Sequence, residues 1–167
     1  MLGNGGVFCW YSYINPLLTH VSGLISRRAF NIESISAGYT EETDVTRINI
    51  EVSVEDKHEL EQVINQLSKL IDIIKIVNLG EVDSIVRELV LLKVRANKET
   101  LKDIRNIVDV FRGKIVDISP ENVVIEITGS QGKIDAICAM MAQFEIIEIA
   151  RTGTIAISRG PVPVKEM

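Results

Sequence analysis

The chain is poor in the residues that most often carry catalysis and metal binding: two cysteines, two histidines and one tryptophan in 167 residues. Cys9 and Cys138 are too few and too far apart for a disulfide scaffold, which points to a reduced, cytoplasmic protein. Both lie in apolar contexts that suit inert core thiols. His20 and His58 have no Cys, Asp or Glu at ligand spacing, and a surface helix position explains each. No G-x-S-x-G nucleophile elbow occurs. The Gly3-Asn4-Gly5-Gly6 cluster precedes a strand instead of joining strand to helix, so it reads as a flexible terminus, not a phosphate cradle. There is no run of 18 apolar residues to span a membrane, and the first ten residues lack the charged region of a secretory signal. Aromatics make up 5% of the chain, and the formal charge is −5 with a pI near 5.1. Nucleic acid and anionic membrane surfaces are therefore poor partners, since both select for basic stripes or stacking rings.

What is present is a foldable composition, 46% hydrophobic and 25% charged, sized for one domain or two small ones. Charge is unevenly shared: residues 1–84 carry 6 Lys/Arg against 12 Asp/Glu, and residues 85–167 carry 12 against 11. That asymmetry fits two units with different surroundings. Residues 7–14, VFCWYSYI, read as a strand, and Asn15-Pro16 starts a helix with apolar Leu17, Leu18, Val21, Leu24 and Ile25 on one face. A strand from Phe30 through Ile32 and Ile35 runs out at Gly38. Next, Ile48, Ile50 and Val52 alternate with Arg47, Asn49 and Glu51, so this strand has one buried and one wet face. The S-x-x-D pattern of Ser53 to Asp56 reads as a capping box before a helix bearing Leu60, Val63, Ile64, Leu67 and Ile71. A strand from Ile73 to Val77 closes a βαββαβ order.

The order then repeats. A strand at Glu88 to Ala96 is followed by a helix with Leu101, Ile104, Val108 and Phe111, then strands at Lys114 to Ile118 and Val123 to Thr128 around a Ser119–Asn122 turn. A helix with Ile134, Ile137, Cys138 and Met141, a strand at Ile146 to Ala150 and a last strand at Thr154 to Ile157 complete it. The fold class is thus α+β, two ferredoxin-like βαββαβ units. The expected division is a first unit at 1–78, a linker at 79–86, a second unit at 87–160 and a loose tail at 161–167.

The stretch Gly23 to Gly38, GLISRRAFNIESISAG, reads as a helix end, a polar junction and a strand. On spacing alone, Arg27 and Arg28 are a solvated helix C-terminus and Asn31 is a connector. Taken with INIEV, LEQVINQLSKLIDIIKIVNL, VRELVLLKVRA, IVDVFRGKIVDIS and EIARTGTIAISRG in this order, the stretch resembles the regulatory (small) subunit family of acetolactate synthase, over about residues 17 to 160. The resemblance implies that the first unit is an ACT domain and that the chain is a homodimer. It further implies that valine or another branched-chain amino acid binds between protomers, and that the partner is a catalytic (large) subunit. The chain would activate that subunit and confer feedback inhibition by valine in branched-chain amino acid biosynthesis. It would have no active site and no cofactor of its own, with thiamine diphosphate, FAD and Mg expected only in the catalytic partner.

Carried over by position, Asn31, Ile32 and Gly38 match the effector pocket, and Pro16 and Leu17 fall at the turn beside it. The family usually places Gly in an N-x-P-G or N-x-S-G turn after the first strand, whereas here the frame reads Tyr13-Ile14-Asn15-Pro16-Leu17. Pro16 lacks an N–H and cannot take positive φ, which implies valine binding weaker than is usual in the family. A free-standing ACT-type amino-acid sensor acting on another enzyme is the alternative reading.

Overall fold

A computed structural model describes residues 4–13, 31–54, 57–69 and 73–166. The chain divides into two compact units, residues 1–85 with 154–167 and residues 86–153.

In the first unit, β1 (Asn4–Tyr13), β2 (Asn31–Tyr39), β3 (Val45–Val54) and β4 (Ile73–Asn78) form one sheet in the order β2-β3-β1-β4. All its neighbours are antiparallel. The β2–β3 hairpin closes over Thr40, whose N–H donates to the Val45 carbonyl at 3.1 Å and whose Oγ1 accepts the Glu42 N–H at 3.1 Å. Asp44 takes the left-handed conformation there at φ 68°, which a short polar side chain tolerates. Helix α1 (Lys57–Leu67) sets Leu60, Ile64 and Leu67 at i, i+4, i+7 against Ile48, Ile50 and Val52 of β3.

The second unit repeats the plan with β5 (Ser84–Arg95), β6 (Lys114–Ile118), β7 (Asn122–Gly129) and β8 (Ile146–Arg151) in the order β6-β7-β5-β8. Numbered within each unit, both sheets therefore run 2-3-1-4, as two copies of one motif require. Helices α2 (Leu101–Val110) and α3 (Gln131–Met141) bury Ile104, Val108, Ile134, Ile137 and Met141 against Val90, Leu92, Val94, Val123, Ile125 and Ile127. Helix α2 ends in a paired cap: the Gly113 N–H donates to the Val108 carbonyl at 2.8 Å and the Arg112 N–H to the Asp109 carbonyl at 3.0 Å. Arg112 carries the left-handed turn, at φ 51°, and Gly113 is there for space. A Cβ on Gly113 would stand 2.3 Å from the Ile127 Cδ1. Strand β9 (Ile155–Ser158) pairs with β5, whose first two residues belong to the first unit.

Several expectations change. Asn4, Gly5 and Gly6 are not a loose terminus but the start of β1, paired with Val54, Ser53 and Val52. Ser53 lies within β3 and so is no helix cap. The connector is shorter than 79–86, because Leu79 is buried and β5 begins at Ser84. By packing, residues 154–160 group with the first unit. The segment expected as a loose tail carries buried Val164 in a short 3-10 turn, Val164–Glu166. The helix expected from Pro16 to Ile25 and the positions Ile71 and Asp56 lie outside the described residues.

Candidate functional site

Strand β2 is an edge strand and carries three of the five residues singled out by sequence. Asn31 is exposed, opens the strand opposite Ser53, and donates from Nδ2 to the Glu33 Oε1 at 2.8 Å. Ile32 pairs with Val52 and packs on the core beneath the sheet. A register shift between Ile32 and Ser34 then turns the strand, so that Ser34, Ser36 and Gly38 stand opposite Glu51, Asn49 and Arg47. Directly paired residues share a face. Ile32 therefore belongs to the helix side of the sheet and Gly38 to the other side. They are six residues apart in the strand, roughly 20 Å. A Cβ on Gly38 would meet nothing within 4 Å, so the described residues build no tight recess there. Pro16 and Leu17 lie outside the described residues.

The face carrying Arg47, Asn49 and Glu51 is not the wet face their alternation suggests. Asn49 is 5% exposed, Arg47 and Glu51 are half-buried, and Cys9 and Tyr11, which share the face through β1, are buried. The cover is the chain's own C-terminal segment. Thr154, 4% exposed, donates from its N–H to the Ser34 Oγ at 3.3 Å and from Oγ1 to the Glu51 Oε2 at 3.3 Å, an oxygen that Ser34 also reaches at 3.2 Å. The Arg47 guanidinium donates to the Ala156 carbonyl and stacks 5.5 Å from the Tyr11 ring centroid. Asn49 Oδ1 and Arg47 Nε are buried without a hydrogen-bond partner. Burial pushes the Cys9 thiol up to about 11 despite the pull of the neighbouring Arg47 charge and hydrogen bonds from Arg47 and Tyr11. A thiol held protonated in this way is no nucleophile.

In the second unit the buried carboxylate, Glu88, is already paired. Glu88, 3% exposed, takes both arms of Arg151 at 2.7 Å, and Asp135 stands 3.9 Å from the same guanidinium. The hydrogen bonds that Arg151 donates to Glu88 are the main cause of its raised pKa. An open hollow of about 460 Å³ is lined by Arg95, Asn97, Thr100, Glu121, Gln143 and Glu145 among others. Arg95 is closed on Glu145 at 2.8 Å, and Asn97 Oδ1 is occupied by the N–H groups of Glu99 and Thr100. Among the described residues no group of three or more His, Cys, Asp or Glu could hold a metal, and His58 is exposed and contacts Gln62. No described helix is long and apolar enough to cross a membrane.

Comparison with known proteins assigns both units. A family model described as "AHAS small subunit-like ACT domain" matches residues 17–75, and one described as "Small subunit of acetolactate synthase" matches residues 87–160. The acetolactate synthase small subunit of Mycolicibacterium smegmatis is 48% identical over 145 residues, 87% of this chain and 85% of that one. The chain belongs to the acetolactate synthase small-subunit family. The small subunit of Bacillus subtilis is 40% identical over 86% of this chain and 84% of its own length. The crystal structure of the small subunit from Thermotoga maritima superposes with a TM-score of 0.85 at 36% identity, covering 95% of this chain and 99% of that one. The expected α+β fold, two ferredoxin-like units of which the first is an ACT domain, is thus the fold of the family.

Sequence reasoning missed Arg47, Ser34, Glu51 and Thr154 as one cluster. The available signal was the run Arg47-x-Asn49-x-Glu51 followed far downstream by the small polar Thr154. Periodicity says which residues share a face, not what lies over it.

Proposed function

We propose that this chain is the regulatory subunit of acetolactate synthase, that it activates a thiamine-diphosphate-dependent catalytic subunit, and that it confers feedback inhibition by valine. The observation that carries the reading is the correspondence of both units, in order and over nearly the whole length, with acetolactate synthase small subunits. Catalysis belongs to the partner, and so do thiamine diphosphate, FAD and Mg. The first unit senses the effector and the second helps to hold the catalytic subunit.

The geometry of β2 supports an effector site shared between two copies of the chain. A valine molecule cannot touch both Ile32 and Gly38 of one strand when they are about 20 Å apart on opposite faces. They join a single pocket only when a second copy of the chain brings its own β2, which ties effector binding to a homodimer. The exposed Asn31 amide and the backbone of the strand edge offer donors and acceptors to the two charged ends of the amino acid. Pro16 removes one N–H from the neighbouring turn, so valine binds more weakly than it would with Gly there.

The test is a pull-down for a thiamine-diphosphate enzyme together with calorimetric titration of valine into the wild-type chain, Pro16→Gly, Asn31→His and Gly38→Val. Pro16→Gly should tighten binding, and the other two should weaken it. Equal affinities in all four would remove the site from β2. A monomer by light scattering at micromolar concentration would remove the shared pocket.

A further inference from the structure

The C-terminal segment at residues 154–158 occupies the face of the first sheet that a ferredoxin-like unit leaves open. Its attachments reach the strand that carries the candidate effector residues and the strand beside it. Thr154 is held by Ser34 of β2 and by Glu51 of β3, and Ala156 by Arg47 of β3, the residue paired with Gly38. Beyond the strand, Arg159 donates its N–H to the Asp83 carbonyl at 2.8 Å and forms an ion pair with the Asp83 carboxylate at 3.2 Å. At its other end the segment has almost no slack. Thr152 is fixed to Leu89 in the second unit, through its N–H to the Leu89 carbonyl at 3.1 Å and its Oγ1 to the Leu89 N–H at 3.1 Å. Only Gly153, at φ 75°, separates Thr152 from Thr154.

We propose that residues 154–158 are a strap whose seating on the β2–β3 face reports the effector state of β2. Occupancy of β2 displaces Ser34 and the backbone opposite Arg47, and both are seats of the strap. The unpartnered, buried Arg47 Nε and Asn49 Oδ1 fit a face whose hydrogen bonding is incomplete in this state and can be rearranged. The coupling half of this inference rests on the reading of β2 as the effector strand; the seating half does not.

The experiment is hydrogen–deuterium exchange of the Thr154 amide, which donates to Ser34 Oγ, in the full chain, with and without valine. It is combined with calorimetric valine affinities for the wild type, Arg47→Met and Thr154→Val. Arg47→Met keeps the apolar stem and removes the guanidinium, while Thr154→Val keeps the shape and removes the hydroxyl. Exchange should rise about tenfold in Arg47→Met and less in Thr154→Val. Coupling is reciprocal, so the factor by which valine changes protection of the strap in the wild type must reappear as the change in valine affinity when the strap is unseated. Unchanged exchange in both variants overturns the strap. Valine binding that alters neither strap protection nor, in the variants, affinity overturns the coupling. A wild-type chain that binds no valine overturns the effector reading and the coupling with it, and the variants alone then decide the seating. If Arg47→Met does not fold, Thr154→Val and Ser34→Ala decide it in the same way.

Discussion

The two units share a strand order and differ in what they do with the second face of the sheet. In the second unit one face takes α2 and α3, and the other carries pairs such as Lys93 with Glu148 at 2.9 Å, on side chains that are substantially exposed. That is the ordinary economy of an antiparallel sheet, apolar inward and charged outward. In the first unit the side opposite the helix is also covered, and polar groups lie under the cover: Asn49 is buried and Arg47 and Glu51 are half-buried, beside buried Cys9 and Tyr11. A closed polar face costs more to build than a solvated one and has more arrangements of similar energy. On the proposed reading of β2, the difference separates a unit that holds its shape from one that registers an effector.

The largest effect expected from this contrast lies in the second unit. Arg151→Met leaves the buried Glu88 carboxylate without its partner, which should cost about 3 kcal/mol, the lower end for a broken buried pair because Arg151 is partly exposed. Chemical denaturation of wild type and variant measures it. Adding Glu88→Gln should restore part of the loss. Additive losses would mean that the two side chains do not act as a pair.

The first unit should instead show its polar closure as alkaline sensitivity. The Cys9 thiol has a folded pKa of about 11 against an ordinary value of 9.0, so between those values the unfolded chain gives up its proton first. Stability then falls as pH rises through that window and is fully present below it, with a total loss of roughly 2 to 3 kcal/mol at most once both states are deprotonated. Other groups titrate in the same range, so the readout is the difference in slope between wild type and Cys9→Ala. Identical slopes would show that Cys9 is not buried in the folded chain. In the same range Cys9 should resist alkylation until the protein unfolds.

Glycine replacements compare the two units directly. Gly113→Ala drives a methyl group against the Ile127 Cδ1 in a filled core and within 3.2 Å of the Glu126 carbonyl, and should cost about 2 kcal/mol. Gly38→Ala meets open space and should change the stability of the isolated chain little. If Gly38→Ala is nevertheless strongly destabilising at concentrations where the chain is a dimer and harmless where it is not, the missing wall at Gly38 is a second copy.

Most of the fold could be read from the sequence because it is written in local periodicities. The Ile48, Ile50, Val52 alternation and the Ile104, Val108 and Ile134, Ile137, Met141 spacings each fix a face, and the repeat of strand and helix order fixes the topology. The family was legible because its phrases are long and ordered. The cover of the first sheet was not, because Ser34 and Thr154 are 120 residues apart and neither is unusual where it stands. Ile32 and Gly38 looked like one pocket because sequence distance hides a register shift. The bulge between Ile32 and Ser34 turns two nearby positions to opposite sides of the sheet.

The smallest expected effect tests that cover most directly. Ser34, Glu51 and Thr154 share one carboxylate oxygen, but their hydrogen bonds are long, from 3.2 to 3.5 Å, so each hydroxyl contributes little. Ser34→Ala alone removes one donor to Glu51 and the acceptor for the Thr154 N–H, and Thr154→Val alone removes the other donor to Glu51. Once one of the two is gone, losing the second matters less, because the geometry that made them cooperate is already lost. A double-mutant cycle on stability should therefore give a coupling of about 0.5 kcal/mol between positions 34 and 154. The same pair of substitutions made at Ser34 and at Thr128, a residue of the second unit with no described bond to Ser34, should give no coupling beyond error. Additivity between positions 34 and 154 would mean that Thr154 merely lies over the sheet, and the first unit would then differ from the second in being covered but not in being connected.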